Sequence, residues 1–161
     1  MKLYKFENIL EDTSSFAKRK LIEILQNEYN YTLSTLEYNK YQKPYIPNNP
    51  LYFNISHSKN VVVIVIDSQE IGIDIEFFDR YNNNMLRKIF NEYEINKIQN
   101  SPSPNKEYSK LWCMKESLLK CKGTGIKKDM KDVLNDTSSY QFIYEETKDY
   151  CIVICKKSES N

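Results

Sequence analysis

Glycine is scarce in this 161-residue sequence, with 3 copies, and proline is limited to 5. A chain so short of both does not build a loop-rich or collagen-like architecture. One histidine and four cysteines without a Cys-x-x-Cys pair argue against a structural zinc site. The cysteines, at positions 113, 121, 151 and 155, are expected to be reduced and buried, as in a cytoplasmic protein. No long apolar run follows Met1-Lys2-Leu3-Tyr4, so no secretory leader is expected. The longest apolar run, Val61 to Ile66, is far too short to span a bilayer. A formal net charge of +1 supplies no overall field toward nucleic acid or membrane, and neither is expected as a partner. What remains, 40% hydrophobic and 28% charged residues, is the composition of one compact soluble unit.

Hydrophobic periodicity divides the chain into short elements. Lys2 to Phe6 alternates as a strand does. Thr13 or Ser14 is expected to cap a helix running to about Tyr29, with Phe16, Leu21, Ile22 and Leu25 on one side. Leu33 to Tyr38 suggests a strand, and Lys43 to Pro50, with three prolines, a stiff extended connection. Val61 to Ile66 and Ile71 to Phe77 predict a hairpin about Ser68-Gln69-Glu70. Met85 to about Gln99 predicts one helix, and Glu107 to Cys121 a second, ended by Gly123 and Gly125. Tyr140 to Tyr144 and Tyr150 to Cys155 predict a final hairpin, followed by a frayed tail from Lys156 to Asn161. Each half runs helix, then paired strands.

Three segments carry chemistry. On a strand through Gly72-Ile73-Asp74-Ile75-Glu76, residues two apart face the same way, so Asp74 and Glu76 project together. Adjacent carboxylates repel unless a cation or proton sits between them, and a hard divalent ion such as magnesium suits the pair; a solvated acidic edge explains the spacing equally well. In Trp112-Cys113-Met114-Lys115-Glu116-Ser117-Leu118-Leu119-Lys120, Glu116 and Lys120 share a helix face. Alone they read as a surface ion pair, but Trp112, Leu119 and two cysteines suggest a buried helix, on which Glu116 would join the strand carboxylates. In Asn54-Ile55-Ser56-His57-Ser58, Ser56 and the sole histidine form a compact donor cluster suited to a phosphate oxygen, although a lone histidine is more often structural. Lys43, before Pro44, reads alone as an exposed loop lysine.

Taken in order, Lys43-Pro44, Asn54-Ile55-Ser56-His57-Ser58, Gly72-Ile73-Asp74-Ile75-Glu76 and Trp112 through Lys120 resemble the motifs of the Sfp-type 4′-phosphopantetheinyl transferases. The resemblance runs from about Phe16 to Ile126. It implies an α+β fold with antiparallel sheets, made of a pseudo-twofold pair of similar halves, residues 1–70 and 71–161, with the site in the cleft between them. It implies transfer of the 4′-phosphopantetheine group from coenzyme A to a serine of an apo acyl or peptidyl carrier protein, releasing 3′,5′-ADP. By that analogy Asp74, Glu76 and Glu116 hold magnesium and Glu116 is the candidate base. His57 and Lys120 contact the pyrophosphate, Lys43 and Ser56 lie near the adenosine and its 3′-phosphate, and Arg19 matches a family arginine loosely. Glu94 falls near a further acidic family position. Little room exists between Lys2–Phe6 and Phe16 for the basic helical segment that commonly helps hold the 3′-phosphate, so a shortened member is implied.

Two other classes fit parts of the pattern. A metal-dependent nuclease also uses paired carboxylates with a later Glu and Lys, but usually places a lysine two residues after the strand carboxylate, where this chain has Phe78. A non-catalytic carrier-protein or coenzyme A binding module needs no set of three carboxylates. A monomer is expected, with Lys88, Lys97 and the apolar face of the Met85–Gln99 helix as candidate docking residues for a carrier.

Overall fold

The structure is a computed structural model that describes residues 1–31, 36–47, 50–125 and 129–158. Strand β1 (Lys2–Phe6) precedes helix α1 (Thr13–Tyr29). Asp12, rather than Thr13 or Ser14, caps this helix, accepting from Ser15 N at 2.8 Å. A carboxylate is favoured there because it meets both an unpaired N–H and the positive end of the helix dipole. Of the strand expected over Leu33–Tyr38, positions 32–35 lie outside the described residues, and Glu37–Tyr38 forms β2. It pairs with β3 (Pro44–Tyr45), which interrupts the expected 43–50 connection; positions 48 and 49 also lie outside the described residues.

β4 (Tyr52–Ser58), β5 (Val61–Asp67) and β1 form one antiparallel sheet in the order β1-β5-β4. β6 (Ile71–Phe77), β7 (Tyr140–Glu146) and β8 (Tyr150–Lys157) form another, in the order β6-β8-β7. The expected β5–β6 hairpin is therefore wrong. Residues 61–66 and 71–76 are buried on both faces, so alternation cannot select their partners. β1 and β4 occupy both edges of β5, leaving β6 none to pair with. β6 lies beside β4 instead, linked by side chains: Asn54 Oδ1 accepts from Ile73 N at 3.0 Å, Ser56 Oγ donates to Asp74 Oδ1 at 2.8 Å and Ser58 Oγ donates to Glu76 Oε1 at 3.2 Å. The β7–β8 hairpin forms as expected and extends to Lys157, so Lys156 and Lys157 are strand rather than tail; positions 159–161 and 126 lie outside the described residues.

The predicted Met85–Gln99 helix is two, α2 (Leu86–Ile89) and α3 (Glu92–Gln99). Asn91 breaks it, accepting from Glu94 N while Glu94 accepts from Asn91 N, a capping box that restarts the helix. α4 (Pro104–Lys122) starts on a proline and stops at Gly123, whose φ of 64° is readily adopted by glycine.

One face of the first sheet packs on α1 through Phe53, Val62, Ile64 and Ile66 against Phe16, Leu21 and Leu25. α4 covers one face of the second sheet, with Cys121 near Cys155 and Cys113 among Cys151 and Val153. The remaining faces meet: Val61, Val63 and Val65 join Ile71, Ile73, Ile75, Ile152 and Ile154 in a single cluster. All four cysteines are buried free thiols.

Gly72 sets how closely α4 approaches β6. A Cβ there would stand 2.1 Å from Ser117 O and 2.4 Å from Cys121 N, both backbone atoms of α4. Gly72→Ala must lift the helix, and is expected to lower stability by about 1–3 kcal/mol, read from urea denaturation midpoints.

Candidate active site

The even positions of β6 face α4, and successive turns of α4 bring Trp112, Glu116 and Lys120 opposite them. With Ser56, His57 and Arg80, these side chains and Asp74 and Glu76 line a cavity of about 370 Å³. The strand and helix carboxylates are thus brought into one cavity. The ion pair that spacing alone suggested for Glu116 and Lys120 gives way to another. Lys120 Nζ lies 2.6 Å from Asp74 Oδ1 and 3.0 Å from Ser56 Oγ, so its partner is Asp74 and not Glu116. Arg80 Nη1 lies 2.9 Å from Glu76 Oε2, and its guanidinium sits 5.5 Å from the Trp112 ring centroid.

Burial pushes the Glu76 carboxyl up, and Arg80 pulls it back. Glu116 is 6% exposed, and its Oε1 has no hydrogen-bond partner among the described residues. Burial first, then the neighbouring Asp74 carboxylate, push Glu116 up to about 7, against the opposing pull of Lys120 and Arg80. Among the described residues, no group of three or more His, Cys, Asp or Glu side chains is already arranged to hold a metal ion. The three expected ligands thus share a cavity without converging on one point, because two of them are held by Lys120 and Arg80. The donors are nonetheless all carboxylate oxygens, as a hard divalent cation takes, and Glu116 Oε1 is a buried acceptor lacking a donor. The residues fit such an ion.

A second cavity, of about 260 Å³, adjoins the first and shares Ile55, His57 and Lys120 with it. His57 Nδ1 lies 3.1 Å from Thr13 Oγ1, at the start of α1. Lys43 borders this cavity, but its ammonium donates to Ile71 O and Cys121 O, each at 3.2 Å, tying the start of β6 to the end of α4. Burial lowers its pKa. Ser56 is likewise engaged, between Asp74 and Lys120. Arg19 is not brought to either cavity; both of its terminal nitrogens bond Glu11, at 3.0 and 2.7 Å. Glu94 is not there either, being paired with buried Lys115 at 2.8 Å. Of the suggested docking residues, Lys97 is paired with Glu107 at 2.9 Å.

Sequence reasoning missed Arg80, Lys18 and the burial of Lys115. Arg80 stands four residues after Glu76, a spacing that signals a pair only within a helix, and here spans a strand end and a 3-10 turn. Lys18 sits on the exposed side of α1, and its lining of the second cavity follows from tertiary packing alone.

Residues 70–160 match the sequence profile of the 4′-phosphopantetheinyl transferase superfamily. The chain belongs to that superfamily. The matched stretch contains Asp74, Glu76, Glu116 and Lys120, whereas Arg19, Lys43, Ser56 and His57 precede it. A 4′-phosphopantetheinyl transferase of Bacillus subtilis is 40% identical over 90 residues, covering 54% of this chain and 40% of that protein. The 4′-phosphopantetheinyl transferase Sfp of Bacillus subtilis strain 168 is 32% identical over 108 residues, 64% of this chain and 48% of that one. The 4′-phosphopantetheinyl transferase gsp of Aneurinibacillus migulanus is 33% identical over 115 residues, 68% and 47% of the respective chains. The chain spans about half the length of these superfamily relatives.

Proposed function

We propose that this chain transfers the 4′-phosphopantetheine group of coenzyme A to a serine of an apo acyl or peptidyl carrier protein, releasing 3′,5′-ADP. The observation that carries the proposal is Glu116: a buried carboxylate with an unpartnered oxygen, raised to about 7, facing two further carboxylates and two cations. In this reading the halves 1–70 and 71–161 are related by a pseudo-twofold. The support is that each three-stranded antiparallel sheet is covered by one long helix, and that the cavities lie where β4 meets β6. The four buried free thiols agree with work in the cytoplasm, and the proposed working form is a monomer. Among the described residues, no helix is long and apolar enough to cross a membrane.

Asp74, Glu76 and Glu116 are the residues that would hold magnesium. When bound, the ion neutralises charge on the pyrophosphate and on the departing ADP. The chain's own groups do the rest. Glu116, raised to about 7 in the cation-free chain and kept ionised beside a cation, is suited to take the proton of the carrier serine. The serine Oγ then bonds the pantetheine-side phosphorus, and the bond from that phosphorus to the oxygen of 3′,5′-ADP breaks. Lys120, swinging from Asp74, and His57 bind the pyrophosphate; Ser56 orients Lys120 from below. Lys43 acts near the adenosine by fixing the cavity wall. Arg19 is left out because Glu11 holds it.

The test is intact-protein mass spectrometry of apo carrier proteins of the fatty-acid, peptide and polyketide kinds, incubated with coenzyme A and this chain. The expected result is a gain of one phosphopantetheine on at least one carrier, absent when EDTA removes divalent cations. Tight coenzyme A binding without mass gain on any carrier would replace this proposal with a binding module.

A further inference from the structure

Two of the three carboxylates in the first cavity are neutralised by cations of the chain itself. Lys120, on Asp74, is released to the pyrophosphate in the scheme above. Arg80, on Glu76, has no task in that scheme, yet its placement is specific. The two oxygens of Glu76 are held in different ways. Oε1 accepts from Ser58 Oγ at 3.2 Å and from Phe77 N at 3.3 Å, neutral donors on β4 and β6 that fix the carboxylate without compensating its charge. Oε2 is met by the Arg80 guanidinium, Nη1 standing 2.9 Å away. Oε2 is therefore the oxygen left for a cation, and Arg80 holds it. The partners are unequal: the Glu76 side chain is 5% exposed and that of Arg80 57%. A guanidinium reaching in from the mouth regains water when it withdraws, whereas the carboxylate stays buried. Arg80 ends the 3-10 turn Phe78–Arg80, and its guanidinium already stands 5.5 Å from the Trp112 ring centroid, a face on which a displaced cation can rest.

We infer that Arg80 is a positioning residue that holds Glu76 in the cation-free chain and competes with the divalent cation for Glu76 Oε2. The inference rests on the reading of Asp74, Glu76 and Glu116 as cation ligands. A guanidinium on that oxygen and a divalent ion bound to it carry like charges at close range in a partly buried site, and they repel. The ion therefore enters as Arg80 leaves. Without Arg80, Oε2 joins Glu116 Oε1 as a buried acceptor lacking a donor. Arg80 thus keeps a buried acid paired while the site is empty, and lowers the affinity of the site for its ion in doing so.

Isothermal titration calorimetry with magnesium chloride, in the absence of coenzyme A, tests this. Arg80→Met is expected to bind magnesium about three- to tenfold more tightly than the wild-type chain, the scale of a half-exposed ion pair. Arg80→Lys, which keeps the charge, is expected to stay within about twofold of wild type. The gain must run through Glu76, so Arg80→Met combined with Glu76→Gln should bind magnesium no more tightly than Glu76→Gln alone. Thermal melts supply a second readout. Without magnesium, Arg80→Met should melt below wild type because Oε2 is stranded, and saturating magnesium should narrow the gap. Equal or weaker magnesium affinity in Arg80→Met overturns the inference and leaves the cation reading intact. A gain that persists in the Glu76→Gln background also overturns it, since general charge would then be the cause. Failure of the wild-type chain and Arg80→Met alike to bind magnesium overturns both.

Discussion

Glu116→Gln is expected to reduce carrier-protein modification by about 10²–10⁴-fold, the range for losing a positioned general base. The substitution keeps the volume and one acceptor of the side chain, so the loss reads chemistry rather than packing. It also removes a buried carboxylate oxygen that has no hydrogen-bond partner among the described residues. The same variant should change stability in the opposite sense. In the cation-free chain, folding raises the Glu116 carboxyl from 4.5 to about 7, because burial and Asp74 disfavour its charge. An acid raised on folding contributes most below its unfolded pKa and loses that contribution as pH rises through its folded one. Wild-type stability should therefore decline from about pH 4.5 to about pH 7 by an amount that Glu116→Gln does not show. Adding magnesium should stabilise the wild type at pH 7 and above, since a cation bound only to the native state raises the melting temperature and favours the ionised carboxylate. Glu116→Gln should respond weakly. Thermal melts with and without magnesium across that pH range check both points, and an equal magnesium response in the two proteins would remove Glu116 from the cation site.

The strand carboxylates and the helix were legible because local periodicity decides them. Alternation along Ile71–Glu76 assigns Asp74 and Glu76 to one face and the isoleucines to the other, as the Ile71, Ile73 and Ile75 cluster bears out. The β7–β8 hairpin was legible for the same reason. Strand partnership was not, because β5 and β6 are buried on both faces, and alternation tells which residues of a strand face together but not which strand lies alongside it. The break at Asn91 was hidden inside a continuous 3.6 period; a reciprocal cap with Glu94 outweighs that period. Partner choice among charges was least legible. The i,i+4 spacing suggested Glu116 with Lys120, yet a long lysine side chain reaches across to β6, where Asp74 and Ser56 give it two oxygens. Cavity membership of Lys18 and Arg80 depends on how α1 and the turn after β6 are set against the sheets, which no local pattern encodes.

Lys115→Met is expected to destabilise the fold by about 3–5 kcal/mol, the cost of breaking a buried ion pair by removing one partner. Lys115 is 0% exposed, on the face of α4 turned from the cavities, and its pKa is lowered by burial against the raising pull of Glu94. Its ammonium meets Glu94 Oε1 at 2.8 Å, Met130 O at 2.8 Å and Lys131 O at 3.3 Å, and lies 5.5 Å from the Phe90 ring centroid. One side chain thus joins α4, the start of α3 and the segment before β7. Methionine fills similar volume but leaves the buried Glu94 carboxylate without its counter-charge, and it removes one donor each from Met130 O and Lys131 O, which keep only the bonds from Val133 N and Asn91 Nδ2. For a domain of ordinary stability, about 5–15 kcal/mol, that is a large fraction of the whole. Glu94 also holds Asn91 N at 3.0 Å, so the loss should spread to the α3 cap. The pair Lys115→Met and Glu94→Leu separates the causes. If the damage comes from the stranded charge, the double variant recovers part of the stability lost by the single one, as a double-mutant cycle from urea melts would read. No recovery would assign the loss to the backbone carbonyls of Met130 and Lys131. Because Lys115 and Glu116, about 100° apart around α4, are turned to different partners, Glu94 and the cavity, Lys115→Met should lower activity only in proportion to the folded fraction, whereas Glu116→Gln lowers it in fully folded protein.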